Sequence, residues 1–247
     1  MKRFNTMFKT ELKLSLRGLD MVIFALIMPL VITIILGILF GNQPAFEGAN
    51  YTFMEQSFGA VSSIAICAAG IMGLPLVVSD YRDKKILKRF KVTPINPSLI
   101  LLVQVAVNMF YAILSLLLVY SAAAIFFGYR MRGSWLHFIG AYFLVILSMY
   151  SLGMMVGGIA PNIKTVNLVC SMLYFPMLIF SGTTLPYEIM PKALQKASDM
   201  LPLTQGIKLL KAASLGLPVN SIVIPIIIMI AIAAICISIS IRFFRWE

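Results

Sequence analysis

Charge is what this chain has least of. Only 12% of its 247 residues are charged, against 60% hydrophobic, and mean hydropathy is +0.96. A soluble domain of this length carries roughly a quarter charged residues, so the composition describes an integral membrane protein with no room for a separate soluble domain. Acidic residues number nine against 20 Lys and Arg. A net charge of +11 often goes with nucleic acid. Here the cations cluster at the ends of apolar runs, which makes the lipid bilayer surface the partner and excludes nucleic acid. Histidine occurs once, as His137 beside Trp135, and reads as an interfacial residue. Cys67, Cys170 and Cys236 each sit inside an apolar run without metal-ligand spacing, as small core residues and not disulfides. No short apolar segment with a cleavage site opens the chain, so the first apolar run is expected to be retained.

Other absences exclude chemistry. There is no G-x-x-x-x-G-K-[ST] phosphate loop, so ATP hydrolysis is not expected from this chain. No centre of an apolar run holds Asp, Glu, Lys or Arg. Each such charge costs about 2.5–3.5 kcal/mol on an insertion scale, and ion-coupled carriers usually keep one for function. Ser and Thr are plentiful in these runs, but neither His nor carboxylate accompanies them as a base. The expected enzyme status is none, with no metal and no cofactor in the chain itself.

What is present is six membrane-length runs, at about 21–40, 58–78, 99–127, 135–160, 166–185 and 222–241, in one transmembrane domain. The expected fold is all-α: six transmembrane helices preceded by an N-terminal interfacial amphipathic helix. Phe4, Phe8, Leu12 and Leu16 line one face of residues 2–19 and Lys2, Lys9, Lys13 and Arg17 the other. Glycine pairs at Gly37/Gly41 and Gly153/Gly157 allow close helix contact. Pro29 is expected to kink span one, and Pro176 lies inside span five. With both termini in the cytoplasm, fourteen of the 20 Lys and Arg fall inside. A one-span shift would invert that asymmetry.

The stretch Ser79–Pro97, SDYRDKKILKRFKVTPINP, organises the rest. It holds six cations between spans two and three, which marks it cytoplasmic. Ile86, Leu87 and Phe90 fall on one helical face, and Pro94 stops the helix near Thr93. Position alone leaves two readings open: a topology anchor against anionic headgroups, or a surface helix that receives a push from a soluble partner. In span three, Gln104, Asn108, Tyr111 and Ser115 share one face. They are candidates for a pathway wall or, residue by residue, for interhelical hydrogen bonds. Tyr174 and Met177 are weaker candidates. Residues 181–221 form an outer segment with two amphipathic pieces, one starting at Pro191. The other follows Pro202, with Thr204 as its cap and Gly216 at its end.

Three features together resemble the type-2 ATP-binding-cassette membrane permeases over essentially the whole chain. They are the basic amphipathic N-terminus, the run from Asp80-Tyr81-Arg82-Asp83 through Ile86-Leu87-Lys88-Arg89-Phe90 to Thr93-Pro94, and Phe180-Ser181-Gly182-Thr183-Thr184-Leu185-Pro186 followed by Leu201-Pro202-Leu203-Thr204. The chain departs from many drug-export members at Lys84–Lys88, where they carry a Gly-Thr-Leu-Glu-like run. The resemblance implies a bacterial cytoplasmic-membrane exporter subunit. It would pair with a second permease chain, identical or paralogous, and with cytoplasmic ATPase subunits that bring ATP and Mg. Arg82, Asp83, Ile86, Leu87, Arg89 and Phe90 would be the ATPase-coupling contacts. Ser181, Gly182, Pro186, Pro202 and Thr204 would belong to an outer gate formed by short extracellular helices. The substrate would be amphiphilic: a drug, an antimicrobial peptide or a lipid-linked molecule. A docking or sensor module and an ATP-independent channel are the competing classes. A lone ATPase encoded beside this chain would separate the exporter from both.

Overall fold

The computed structural model describes residues 2–41, 43–46, 48–86, 97–182, 187, 190–218 and 222–243. Nine helices carry the described chain: α1 Lys2–Gly18, α2 Asp20–Phe40, α3 Phe53–Asp83, α4 Pro97–Phe127, α5 Trp135–Ile159, α6 Ile163–Phe180, α7 Lys192–Ser198, α8 Pro202–Leu215 and α9 Val223–Phe243. Six of them, α2 to α6 and α9, are long and apolar enough to cross a membrane. Among the described residues the only β pairing is an isolated Pro44–Thr52 bridge. The fold is all-α.

The centre is α3. Burial covers 78% of its most apolar stretch but only 22% of those of α2, α6 and α9. The residues doing this are small: Gly59, Ala60, Ser62, Ser63, Ala65, Ala68, Ala69 and Gly70. Small side chains let backbones approach, which is how helices associate where lipid removes the hydrophobic drive. The Gly153/Gly157 face of α5 meets α3 there. A Cβ added at Gly153 would fall 1.8 Å from the Gly70 carbonyl oxygen, and one at Gly157 would fall 2.7 Å from Pro75 Cα. At the end opposite Asp83 an aromatic cluster closes the α3–α4–α5 packing: Phe58 and Tyr129 stack at 4.4 Å, and Tyr120 meets Trp135 edge-on at 4.8 Å.

Two helices carry a π-helical turn just ahead of a proline. Ile23–Ile27 precedes Pro29 in α2, and Ala68–Gly73 precedes Pro75 in α3. A proline ring clashes with the carbonyl four residues back and donates no hydrogen bond. A widened turn absorbs that conflict without breaking the helix. The expected disturbance at Pro29 therefore takes this form.

Apolar counting misplaces both ends of α3. The run Phe58–Val78 is only its middle. The helix begins at Phe53, because Thr52 and Glu55 form a reciprocal capping box, and continues to Asp83. Two other boundaries shift. Pro191 stands just before α7 as its N-cap, and Leu201, not Thr204, caps α8. Helix α6 ends at Phe180, short of the Leu185 expected from apolarity; residues 183–186, Pro186 included, lie outside the described residues.

Helix α8 is not a surface helix. Eleven of its 14 residues are buried. At Gly206 an added Cβ would meet Val145 of α5 at 3.0 Å and Met229 of α9 at 3.5 Å; at Gly59 of α3 it would meet Lys211 N at 2.8 Å. Fourteen residues reach about 21 Å, too short to span, so α8 is a half-length plug among three spanning helices. Gly216 (φ 68°) closes it in the left-handed region that glycine adopts without strain.

Gly153→Leu should abolish a monodisperse size-exclusion peak in detergent, since overpacking alone costs about 1–3 kcal/mol where backbone can yield. Gly140→Ala on the same helix, with nothing within 4 Å of the new Cβ, should leave the peak intact and the unfolding temperature equal or higher.

Candidate functional site

The helix α3 outlasts its apolar run because the charges at its end are satisfied by protein. Arg82 is 5% exposed. Its Nη1 donates to the carbonyls of Gly157 and Gly158 at 3.3 and 3.2 Å, and its Nη2 donates to Ala160 O at 2.5 Å and Ser79 Oγ at 3.2 Å. Those carbonyls close α5, where the last turn has no intrahelical donors and carries the negative end of the helix dipole. The neighbouring Asp83 does the converse. Its Oδ2 accepts from the backbone N–H of Ile163 at 2.9 Å, at the positive start of α6. Asn162 caps the same helix through Thr165 N at 2.9 Å. Two adjacent side chains of opposite sign thus grip the two ends of the short α5–α6 turn.

Of the residues expected to couple to an ATPase, Arg82 turns inward and is occupied by this clamp, and Asp83 is exposed but engaged. The helix stops at Lys84, and Lys85 takes a left-handed backbone (φ 57°). Ile86 is half-buried. Leu87, Arg89 and Phe90 lie outside the described residues.

Beside the clamp sits a second joint. Glu11 of α1 accepts from Tyr81 OH at 2.6 Å and from Gln104 Nε2 at 2.7 Å, both on its Oε2. One carboxylate therefore ties the interfacial helix to α3 and α4. Phe4, Met7, Phe8 and Leu12 support it by packing on Ala25, Val103, Val107 and Tyr111. The polar row of α4 is held inside a single chain. Gln104, Asn108, Tyr111 and Ser115 are all buried, and Asn108 Nδ2 donates to Gln104 O at 2.9 Å. Of this row, Gln104 and Asn108 line a cavity at this end. Tyr174 and Met177 belong to the main apolar core.

At the opposite end a cavity of about 360 Å³ collects the expected gate residues. Ser181, Gly182 and Thr204 line it with Gln56, Ser57, Ala60, Tyr187, Ile207, Lys208 and Lys211. Gly182 takes φ 97°. Pro202, half-buried, starts α8. Thr204 Oγ1 and Gln56 Oε1 are buried without a hydrogen-bond partner among the described residues. Lys208 donates to Asp199 Oδ1 at 2.6 Å, Tyr187 OH donates to the same carboxylate at 2.9 Å, and the ammonium lies 4.5 Å from the Tyr187 ring centre. Burial works against the Lys208 charge, but the bonds to Asp199 and Tyr187 outweigh it and raise its pKa. This contribution is fully present below the ordinary lysine value and is lost only as pH climbs through the raised one. Burial, then the bond to Asp199, pushes the Tyr187 phenol up as well. Nearby, Glu55 pairs with Arg132 at 2.8 Å, fastening the α4–α5 loop to the start of α3. Arg132 N and Gly133 N both donate to Ser214 O of α8.

The profile of the ABC-2 type transporter family matches residues 2–215, from α1 through the end of α8. The chain belongs to that family. This ABC-2 chain is accordingly a multi-pass membrane protein. It is also similar to three proteins named Nodulation protein J. The one from Neorhizobium galegae is 34% identical over 98 residues, 40% of this chain and 35% of the relative. That of Rhizobium leguminosarum bv. viciae is 33% identical over 76 residues, 31% and 29% of the two chains. That of R. leguminosarum bv. trifolii is 32% identical over 117 residues, 47% and 42%. The matched stretches thus span less than half the length of each relative.

Sequence reasoning missed Glu11, Thr52, Glu55 and Ser79. The Thr52-x-x-Glu55 signature was available, as was the Ser79/Arg82 spacing of three. Glu11 left no signal beyond being the lone acid of a basic helix.

Arg82→Ala should destabilise the ABC-2 chain by about 2–4 kcal/mol and Asp83→Ala by about 1 kcal/mol, since the first strips several charge-assisted bonds and the second removes one cap. Arg82→Lys should recover less than half, because an ammonium cannot fork across three carbonyls. Thermal unfolding in detergent reads this out; an unchanged midpoint for Arg82→Ala would show that the guanidinium does not hold the turn.

Proposed function

We propose that this chain is the membrane-spanning subunit of an ATP-binding-cassette exporter, moving an amphiphilic substrate with energy from a separate cytoplasmic ATPase. One observation carries the reading beyond family membership: the start of the expected docking segment, residues 79–83, is the end of a bundle helix. Residues 79–86 leave α3 through the Arg82–Asp83 clamp, so a force on the segment reaches the α5–α6 turn through charge-assisted bonds and not through a loop.

In this mechanism ATP and Mg bind the partner subunit, whose closure displaces Leu87, Arg89 and Phe90. The α3 end moves with them, and α5 and α6 follow. At the far end α6 leads into Ser181 and Gly182, while α5 packs on α8 at Gly206. Movement of that pair would open the cavity around Thr204 and Lys208. Its mixed lining, with Ala60, Ile207 and Leu217 beside Gln56, Tyr187 and the lysines, suits a molecule with both apolar and polar parts. The lightly buried apolar faces of α2, α6 and α9 leave area for lipid and for a second permease chain. The excess of cations at the Asp83 end supports a cytoplasmic placement of that end and of both termini.

Leu87→Asp combined with Phe90→Asp should leave membrane insertion unchanged and abolish co-purification of a nucleotide-hydrolysing subunit from native membranes. ATPase activity of the eluate is the readout. Recovery of the same activity from the double variant, or its absence from the unaltered chain, would refute the coupling assignment and favour a channel or docking module.

A further inference from the structure

Helix α1 spends its apolar face on protein. Phe4, Met7, Phe8 and Leu12 pack on Ala25 of α2 and on Val103, Val107 and Tyr111 of α4. The Phe8 ring meets Phe110 edge-on, with 6.3 Å between centres. Glu11, on the same face, accepts from Tyr81 and Gln104. These partners lie inside spanning helices: Phe110 is about 20 Å along α4 from Pro97. The helix is thus laid against the flank of the bundle, level with spanning segments.

The opposite face is cationic. Lys9, Lys13 and Arg17 recur at four-residue spacing, in a row about 12 Å long, and all three are exposed. Among the described residues none of the three forms an ion pair. Glu11, the single acid of α1, points the other way. At about 100° per residue, Leu16 and Leu14 fall on the two margins of the row. They are 49% and 51% exposed, and Leu19 follows at 59%. Leu16 therefore stands outside the packed face on which its spacing from Leu12 placed it. A helix that floats on a bilayer turns its apolar side to the acyl chains. In α1 protein covers that side, and the surrounding leaflet meets the cations and their leucine margins.

We infer that this outward face of α1 binds the headgroups of anionic phospholipids. The charge is complementary, and the long apolar stems of Lys and Arg let their heads reach the headgroup layer from a helix lying deeper. Each such cation near a bilayer surface raises the affinity for anionic lipid about fivefold. The exposed leucines on both margins suit acyl chains, which a soluble acidic partner does not offer. The inference stands on α1 and not on the exporter reading.

The test uses the full chain in detergent, exposed to phosphatidylglycerol or to phosphatidylcholine of identical acyl chains, with bound lipid counted by native mass spectrometry. The unaltered chain should retain phosphatidylglycerol better by about tenfold or more. Lys9→Gln, Lys13→Gln and Arg17→Gln together should erase most of that preference. The same number of exposed cations removed elsewhere, by Lys85→Gln, Lys164→Gln and Arg242→Gln, should leave it in place. Should the α1 triple variant not fold, Lys13→Gln alone decides, with a loss of about fivefold expected. Equal retention of the two lipids by the unaltered chain overturns the assignment and gives the face to a soluble acidic partner. A preference that survives the α1 substitutions, or that falls equally in the control triple, overturns it as well. Loss of ATPase co-purification would leave these outcomes untouched, so the two readings fail separately.

Discussion

A buried guanidinium holds the basic end of this protein together. Arg82 sits among the oxygens of a helix end. Its charge is met by the carbonyl oxygens that end α5 and by one serine hydroxyl. This works because a helix terminus is already a cluster of unsatisfied dipoles, and a cation placed there meets a need it did not create. The next residue repeats the logic with the opposite sign at the start of α6. Position, more than residue type, makes the pair effective: a one-residue step along α3 matches the short α5–α6 turn. Everything attached to that turn, including the helix that leads to Ser181, is tied to α3 through two side chains.

The opposite end uses a different means. There the half-length helix α8 is wedged between α3, α5 and α9 by glycines at Gly59 and Gly206, and the α4–α5 loop is laced to it through Ser214 and to α3 through Glu55 and Arg132. Contact at one end is ionic and dipolar; at the other it is steric and backbone-mediated, with the Glu55–Arg132 ion pair added. The middle, where Gly70 and Pro75 meet Gly153 and Gly157, leaves little slack. Close-packed interiors of this kind have low compressibility.

Much of this was legible in the chain. Hydropathy and the placement of Lys and Arg mark six crossings and an interfacial helix, since water and hydrocarbon sort residues before any packing is decided. Ser181, Gly182 and Thr204, which the sequence pattern groups together, do line one cavity. The failures share a cause. Arg82 reads from sequence as an exposed member of a basic patch, and Glu55 as a loop acid, because hydropathy treats a charge as solvated by water. Both are solvated by protein. Partners of this kind lie 70 or more residues away, as Glu11 and Tyr81 do, beyond any local window.

The π-helical turn ahead of Pro75 deserves a last consequence. A π turn holds one residue more than the helix around it needs, so it sets a phase. With about 100° of rotation per residue, closing that turn to the regular pitch with all its residues kept would swing everything from Leu74 onward by more than a quarter turn. Arg82 would then face away from the end of α5, and Asp83 away from Ile163, although neither residue had changed. Alignment of the clamp is thus encoded about ten residues upstream of it, in the pitch of α3.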